Sequence, residues 1–283
     1  MNIDGKTQIY GIIGYPVRHT FSPLMHNAAF NSLRINAAYL PFEVKPKNLK
    51  SAIFCIKSLG VRGFNVTVPH KKEVLEYLDE VDRESSLAKA VNTVVNRNGR
   101  LKGYNTDGRG FVISLKEEFG ISPKGKKFFI MGAGGASQAI SFSLAVNGAS
   151  RIVLVDDLED KAMKLSTLLE RSTSCEAIAL KKDKNAMKEM ILNSDVFINA
   201  TPCGMKTTDP KLIDPEFLHK GLFVYDIIYN PCVTKLLRDA QNRGARISNG
   251  IGMLLNQGAI SFELWTARKA PVSVMKKALA EVI

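Results

Sequence analysis

The stretch Met131-Gly132-Ala133-Gly134-Gly135-Ala136-Ser137 decides the fold, because it joins a short apolar strand to a helix. Residues 126–131 precede it as the strand, and residues 138–145 follow it as the helix. Glycines in such a turn let an anion approach the backbone N–H groups at the helix N-terminus. The stretch therefore predicts a site for the pyrophosphate of a dinucleotide. The residues expected to form it are Gly132, Ala133, Gly134, Gly135, Ala136 and Ser137.

The elements on either side of this turn predict an α/β protein with two domains. After the turn, short apolar strands alternate with helices, which is the pattern of a doubly wound, Rossmann-type dinucleotide-binding domain. The expected strands are residues 127–131, 151–155, 176–180, 195–199, 222–226 and 245–248. The segment before the turn also alternates strands and helices. It is long enough to form an α/β substrate domain with its own core.

Serine and proline positions predict where two N-terminal helices begin. Ser22 is placed to cap a helix that starts at Pro23, while Thr20 has no capping role. Pro69 is expected to start another helix. Lys71 would then lie in its first turn, where the positive helix end disfavours a cation, and this favours a role in proton transfer. The alternative is a solvated lysine beside Lys72.

Asp107 stands in the run Gly103-Tyr104-Asn105-Thr106-Asp107-Gly108, directly before an expected helix at residues 108–119. One interpretation is that its carboxylate only caps that helix. The other is that the polar run, flanked by glycines, is a loop shaped for a ligand.

The composition is typical of a globular protein. The 283 residues are 45% hydrophobic and 23% charged, and no apolar run reaches the length of about 18 residues that a membrane span needs. The N-terminus lacks a signal-peptide pattern and the four cysteines are far apart, so a cytoplasmic protein with reduced thiols is expected.

The positive charges that give the chain its net charge of +12 are dispersed along the sequence, which favours small anionic ligands over nucleic acid. The four histidines have no ligand spacing, so no metal site is expected.

Asp156 follows the first glycine of the turn at about the spacing of the acid that binds a ribose 2′-hydroxyl. Asp157, Glu159 and Asp160 add negative charge, and no arginine stands beside them. A 2′-phosphate would meet like charge there, so the segment favours NAD over NADP. The alternative is an aspartate in a solvated turn at the end of a strand.

Ordered motifs along most of the chain resemble those of the shikimate dehydrogenase family, oxidoreductases of the pathway to aromatic amino acids. The matching runs are Gly14-Tyr15-Pro16 through Ser22-Pro23, Asn65 to Lys71, Ala90-Val91-Asn92-Thr93, Gly103 to Gly108, Gly132 to Ser137, Asn199-Ala200-Thr201-Pro202, Asp226 to Pro231, and Asn249 to Leu254. Several independent motifs in the same order make the resemblance specific. It implies a reversible, NAD(P)-dependent reduction of 3-dehydroshikimate to shikimate.

The resemblance also implies the domains and the site residues. The substrate domain would be residues 1–106, completed by C-terminal helices at 250–283, and the cofactor domain would be 107–249. Lys71 and Asp107 match the family's catalytic pair. The residues that match substrate contacts are Thr20, Ser22, Thr67, Asn92, Tyr229 and Gln257. Those that match further cofactor contacts are Asn199, Ala200, Thr201, Gly252 and Met253.

Departures from the family pattern leave alternatives open. Thr20 replaces a serine found in many members, and Asp156-Asp157-Leu158 replaces the Asn-Arg-Thr-like run of members that use NADP. A dual quinate/shikimate dehydrogenase that prefers NAD is therefore an alternative. A catalytically silent metabolite sensor is another, although the presence of Lys71 and Asp107 argues against it.

No tyrosine has a lysine four residues later, which excludes a short-chain dehydrogenase. The oligomeric state stays open, and a homodimer is compatible with the sequence.

Overall fold

The computed structural model describes residues 3–282, which form two compact units. One unit contains the residues up to Gly110 together with those from Leu254 onward, and the other runs from Phe111 to Met253. The domain boundaries expected from the sequence, after residues 106 and 249, lie a few residues before these positions.

Strands and helices alternate along most of the chain. The strands are β1 (Gln8–Gly14), β2 (Ala37–Glu43), β3 (Gly63–Val66), β4 (Glu80–Val81), β5 (Thr93–Arg97), β6 (Arg100–Tyr104), β7 (Lys127–Met131), β8 (Arg151–Val155), β9 (Glu176–Ala179), β10 (Val196–Asn199), β11 (Phe223–Asp226) and β12 (Arg246–Ser248). The helices are α1 (Ser22–Ser32), α2 (Leu49–Ser58), α3 (Arg83–Ala88), α4 (Asp107–Phe119), α5 (Gly135–Val146), α6 (Glu159–Ser172), α7 (Lys184–Leu192), α8 (Lys235–Asn242), α9 (Ile251–Thr266) and α10 (Val272–Ala280). Short 3₁₀ helices lie at Pro46–Asn48, Glu73–Tyr77 and Pro215–Phe217.

The first unit is built on a six-stranded mixed sheet in the order β2-β1-β3-β5-β6-β4. β1 pairs in parallel with β2 and β3, and β5 runs antiparallel to β3. Successive side chains point to opposite faces. Ile12 of β1 belongs to a core with Phe262 of α9 and Met275 of α10, whereas Ile13 belongs to a core with Ile53 of α2. The C-terminal helices therefore complete the core of this unit.

The second unit is built on a parallel six-stranded sheet in the order β12-β11-β10-β7-β8-β9. Counted within the unit, this is the 3-2-1-4-5-6 order of a Rossmann domain, so the predicted fold class is confirmed. Phe129 of β7 and Phe197 of β10 stack in its core with ring centroids 5.6 Å apart. The chain order reverses between these two strands, and ligands bind such sheets at this point.

The expected helix at Pro69 is wrong. Residues 68–72 form turns, and the 3₁₀ helix Glu73–Tyr77 follows them. The cause is a contact distant in sequence: the carbonyl of Lys71 accepts the N–H of Val91 at 2.8 Å. The N–H of Leu75, which an α-helix would direct to Lys71, donates to Lys72 instead at 3.2 Å.

The expected cap of the first helix is also wrong. Ser22 is the first residue of α1 rather than its cap, and Phe21 precedes it without a side-chain cap bond. Thr20 has the local role that the sequence did not give it, because its Oγ1 accepts the N–H of Ser22 at 3.3 Å. The short helix α3 was not expected from the sequence, and an aspartate caps it. Asp82 accepts the N–H of Ser85 at the start of α3.

Candidate active site

Lys71 and Asp107 form an ion pair in the first unit. Nζ of Lys71 lies 2.5 Å from Oδ2 of Asp107, and the two side chains are 19% and 7% exposed. Lys71 lies in the turn after β3, and Asp107 is the first residue of α4, where the positive helix end stabilises a carboxylate. The arrangement holds an ammonium beside a fixed carboxylate, largely out of water.

Asn92 binds the other carboxylate oxygen of Asp107. Its Nδ2 donates to Oδ1 of Asp107 at 2.8 Å, and its Oδ1 accepts the N–H of Thr106 at 2.8 Å. The Thr106 contact decides which end of the amide faces Asp107, because an N–H must meet the amide oxygen. Both oxygens of Asp107 thus accept hydrogen bonds from predicted site residues, which favours a ligand loop over a simple helix cap.

Gln257 of α9 joins this group. Its Oε1 lies 3.3 Å from Nδ2 of Asn92. Gly110 of α4 allows this approach, since a Cβ at that position would lie 2.6 Å from the backbone nitrogen of Gln257. Gly110 was not among the residues expected from the sequence, although a glycine inside a predicted helix is a signal for close packing.

The three hydroxyl residues expected to contact substrate lie in the same unit as the ion pair. Thr67 directly follows β3, and its N–H donates to Ile13 of β1 at 2.9 Å. Ser22 is buried, with 4% of its surface exposed. Thr20 is half-buried and touches Ser22 through the N–H contact described above. Two of the predicted residues therefore lie side by side at the start of α1.

The glycine turn follows β7 at the point where the strand order reverses. Gly132 has a φ of +99°, which favours glycine, and a Cβ there would lie 2.9 Å from the carbonyl oxygen of Ala200. Gly134 caps α5, and a Cβ on Gly134 or on Gly135 would meet nothing within 4 Å. The first glycine is thus required by the protein's own packing. The other two leave open space beside the helix N-terminus, as a bound pyrophosphate requires.

Asp156 contacts the glycine turn. Its Oδ2 accepts the N–H of Ala133 at 2.7 Å, and its Oδ1 accepts the N–H of Leu158 at 2.9 Å. From the sequence, Asp156 was expected either to bind a ribose hydroxyl or to lie in a solvated turn. In the structure it also stabilises the turn, and one of the N–H groups expected to face a pyrophosphate donates to it.

The acidic residues after Asp156 are paired with lysines of the loop after β9. Oδ1 of Asp157 lies 2.6 Å from Nζ of Lys182, and Oε2 of Glu159 lies 3.6 Å from Nζ of Lys181. Both pairs are exposed, so each contributes little to stability. They nevertheless lower the negative charge that the sequence places at this end of β8.

Asn199 and Thr201 belong to a hydrogen-bonded group at the end of β10. Oδ1 of Asn199 accepts the Thr201 hydroxyl at 2.7 Å, and its Nδ2 donates to Asp226 at 3.0 Å. Asp226 is fully buried, and burial raises its pKa to about 6. It also accepts the hydroxyl of Thr234 at 2.7 Å. Asp226 is a residue that the sequence analysis did not assign, and it fixes the turn that contains Asn199, Ala200 and Thr201.

Gly252 and Met253 lie at the start of α9 and pack inside the second unit. The N–H of Met253 donates to the hydroxyl oxygen of Tyr225 at 3.2 Å, and that hydroxyl is 2.7 Å from Oγ of Ser114. A Cβ on Gly252 would collide with Ser114, so packing alone requires this glycine. Tyr229 is half-buried, and burial raises the pKa of its phenol.

Among residues 3–282, no group of three or more histidine, cysteine, aspartate or glutamate side chains could hold a metal ion. No helix in this range is both long enough and apolar enough to span a membrane.

Two family models match the chain. The substrate binding domain of shikimate dehydrogenase matches residues 12–94, and the C-terminal domain of shikimate 5'-dehydrogenase matches residues 250–280. Lys71 and Asn92 lie in the first match, and Gln257 lies in the second.

Named relatives match the chain over almost its full length. Shikimate dehydrogenase (NADP(+)) of Methanopyrus kandleri is 43% identical, with 99% of this chain and 98% of the relative covered. The structure of shikimate 5-dehydrogenase from Listeria monocytogenes in complex with shikimate and NAD is 38% identical, with a TM-score of 0.92 and 99% and 98% coverage. Quinate dehydrogenase from Corynebacterium glutamicum in complex with NAD is 28% identical, with a TM-score of 0.89 and 98% and 99% coverage. On this full-length similarity, the chain belongs to the shikimate dehydrogenase family.

Proposed function

We propose that the protein catalyses the reversible NAD(P)-dependent reduction of 3-dehydroshikimate to shikimate. The observation that carries this proposal is the ion pair of Lys71 and Asp107, 2.5 Å long, with Asn92 on the second oxygen of the carboxylate. Reduction of a ketone needs a proton donor at the oxygen that becomes a hydroxyl. Relatives that are 43% and 38% identical are named shikimate dehydrogenases, which supports the substrate class.

In this mechanism Lys71 donates a proton to the developing alkoxide and takes it back in the reverse direction. Asp107 holds the ammonium of Lys71 and orients the reacting hydroxyl. Proton transfer by a positioned group is worth about 10² to 10⁴ in rate. A bound nicotinamide supplies or accepts the hydride.

The remaining predicted contacts orient the substrate. Thr20 and Ser22 hold the carboxylate through their hydroxyl groups. Asn92 binds a ring hydroxyl. The contact of its Nδ2 with Oε1 of Gln257 supports a role for Gln257 at the same hydroxyl. Thr67 is proposed as a further contact, and Tyr229 stays a prediction from the family resemblance.

The second unit fits a dinucleotide. The open space at Gly134 and Gly135 and the N-terminus of α5 suit a pyrophosphate, which we assign to residues 132–137. Residues 199–201, on the neighbouring strand end, and Gly252 with Met253 are proposed as the other cofactor contacts.

We further propose that NAD(H) is the preferred cofactor. Asp156 is held at the end of β8 by the N–H groups of Ala133 and Leu158, and a carboxylate there suits a ribose hydroxyl and repels a 2′-phosphate. Lys182 is a cation that could compensate, but it is paired with the neighbouring Asp157 at 2.6 Å. A phosphate would have to compete with that carboxylate.

The experiment is a measurement of kcat/KM on the purified protein with shikimate or quinate, each with NAD+ or NADP+. Turnover of shikimate with a preference for NAD+ is expected. A preference for NADP+ would overturn the cofactor proposal alone. Comparable rates with quinate would indicate the dual enzyme, and no turnover with any pair would favour the sensor and overturn the proposed function.

A further inference from the structure

Buried hydroxyl groups of Thr93, Thr106 and Ser261 form a cluster beside Asn92 that the proposed mechanism does not use. Each of the three residues is at most 1% exposed. Oγ of Ser261 lies 2.7 Å from Oγ1 of Thr93 and 3.3 Å from Oγ1 of Thr106. Nδ2 of Asn65 lies 3.0 Å from Oγ1 of Thr93 and 3.2 Å from Oγ of Ser261. We call Thr93, Thr106 and Ser261 the hydroxyl cluster.

The proton positions in the hydroxyl cluster follow from the contacts of Ser261. Its Oγ is 2.9 Å from the carbonyl oxygen of Gln257, one helical turn earlier, and that carbonyl can only accept. Ser261 therefore donates to Gln257 and accepts the proton of Thr93. The Thr106 hydroxyl can then donate to Oδ1 of Asn92 at 3.2 Å.

This arrangement fills the acceptor sites of the Asn92 amide. Its Oδ1 receives the N–H and the hydroxyl of Thr106, which uses both lone pairs. Without the Ser261 hydroxyl, the proton of Thr93 would turn to the same oxygen, from which Thr93 Oγ1 is 3.1 Å away. Three donors would then compete for two lone pairs and would pull the amide away from Asp107.

We propose that Ser261 is a positioning residue: it keeps the proton of Thr93 away from Asn92 and so orients Nδ2 of Asn92 onto Asp107. The proposal rests on the function proposed above. Helix α9 would then contribute two residues to the site, Gln257 and, four residues later, Ser261.

The test is Ser261→Ala, compared with Thr266→Val on the same helix. Thr266 is the matched control because its Oγ1 makes the same kind of bond, to the carbonyl of Phe262 at 2.8 Å. Misplacement of Asp107 should lower kcat for shikimate about tenfold in Ser261→Ala. The KM for the cofactor should not change. Thr266→Val should stay within about twofold of the wild type, so an equal loss in both variants would overturn the proposal.

A double variant separates positioning from general destabilisation. If Ser261 acts through Asn92, adding Ser261→Ala to Asn92→Ala should change kcat/KM less than about twofold. A full tenfold loss in both backgrounds would overturn the proposal, as would wild-type activity in Ser261→Ala alone.

A second variant keeps the test decisive where Ser261→Ala does not fold. Thr93→Val removes the proton that Ser261 accepts and keeps the side-chain shape, so it should leave Asn92 oriented and kcat within about threefold of the wild type. A larger loss with an unchanged Tm would contradict the assigned proton positions.

Turnover by the wild-type protein is measured in the same assay. If the wild type does not turn over shikimate, the proposed function is overturned and this inference with it. If the wild type is active and the Ser261→Ala variant is equally active, this inference alone is overturned.

Discussion

Oδ2 of Asp156 accepts the N–H of Ala133 at 2.7 Å, so the acid at the end of β8 is tied to the glycine turn after β7. Its Oδ1 is bound to the N–H of Leu158. Each carboxylate oxygen keeps a further lone pair for a ligand. The same side chain can therefore stabilise the turn proposed for the pyrophosphate and meet the ribose hydroxyls beside it.

Asp156→Ala should weaken the binding of both cofactors, because the turn loses a charged hydrogen-bond partner. The KM for NAD+ should rise by about tenfold or more, since a hydrogen bond to a charged group contributes about 1.5–3 kcal/mol. The KM for NADP+ should rise less, because a repelling charge is removed as well. Steady-state kinetics with both cofactors measure the ratio.

Asp160→Ala is the matched control, because Asp160 is an exposed acid in the first turn of α6. It should leave the ratio of the two kcat/KM values within about twofold of the wild type. If Asp156→Ala behaved like this control, the proposed ribose contact would be rejected.

Lys71→Ala should lower kcat by about 10² to 10⁴, because the proton donor is lost. The KM for shikimate should change little, since the residues proposed to bind its carboxylate and ring hydroxyls are retained. Lys72→Ala provides the control: the neighbouring lysine is exposed and should be dispensable. A Lys71→Ala enzyme that kept more than about a tenth of the wild-type kcat would contradict the proton-donor role.

Patterns local in sequence predicted much of the fold. The apolar strand, the glycine turn and the following helix lie next to each other in the chain, and the structure has β7, the turn and α5 at these positions. The failed helix at Pro69 has the opposite cause. It depends on the hydrogen bond from Val91 to Lys71, and no pattern within residues 65–75 reports on a partner that far away.

The candidate site, like the fold, could be predicted from the sequence only where local motifs were enough. Sequence motifs singled out Lys71, Asp107 and Asn92 as polar groups, but only the fold brings their atoms together. They come from the turn after β3, the start of α4 and the residue before β5. Ser261 has no motif at all. It looks like one more small residue in an apolar helix, and its contacts depend on how α9 packs beneath Asn92.

The buried Asp226 should make the stability of the protein depend on pH. Burial raises its pKa from 3.8 to about 6, although hydrogen bonds from Thr234, Ile228 and Asn199 favour the charged form. The folded protein then binds this proton more tightly than the unfolded chain. Its contribution to stability is complete below about pH 3.8 and is lost as the pH rises through about 6.

Asp226→Asn should remove this dependence. An amide fits the site, since its oxygen can accept from Asn199 and Ile228 and its nitrogen can donate to the hydroxyl of Thr234. Between pH 4 and pH 7 the free energy of unfolding of the wild type should fall by about 2 kcal/mol more than that of the variant. Urea unfolding of both proteins measures the difference, and parallel curves would show that Asp226 is not the titrating group.

Two glycines of the turn should respond differently to alanine. Gly132→Ala should lower the free energy of unfolding by about 2 kcal/mol or more, because its φ is +99° and the new Cβ would press on the carbonyl of Ala200 at 2.9 Å. Gly134→Ala should change stability by less than about 1 kcal/mol, because its backbone is extended and its Cβ would meet open space.

The decisive readout for Gly134→Ala is cofactor binding rather than stability. A methyl group in the space proposed for the pyrophosphate should raise the KM for NAD+ at least about tenfold, while the KM for shikimate stays the same. Comparing the two variants separates two reasons why glycine is needed in this turn. Gly132→Ala tests the backbone conformation and packing of the protein without ligand, and Gly134→Ala tests the room left for the cofactor. If Gly134→Ala bound NAD+ as tightly as the wild type with an unchanged Tm, the pyrophosphate could not lie against residue 134. The assignment of residues 132–137 as its cradle would then fail, even with the Rossmann fold intact.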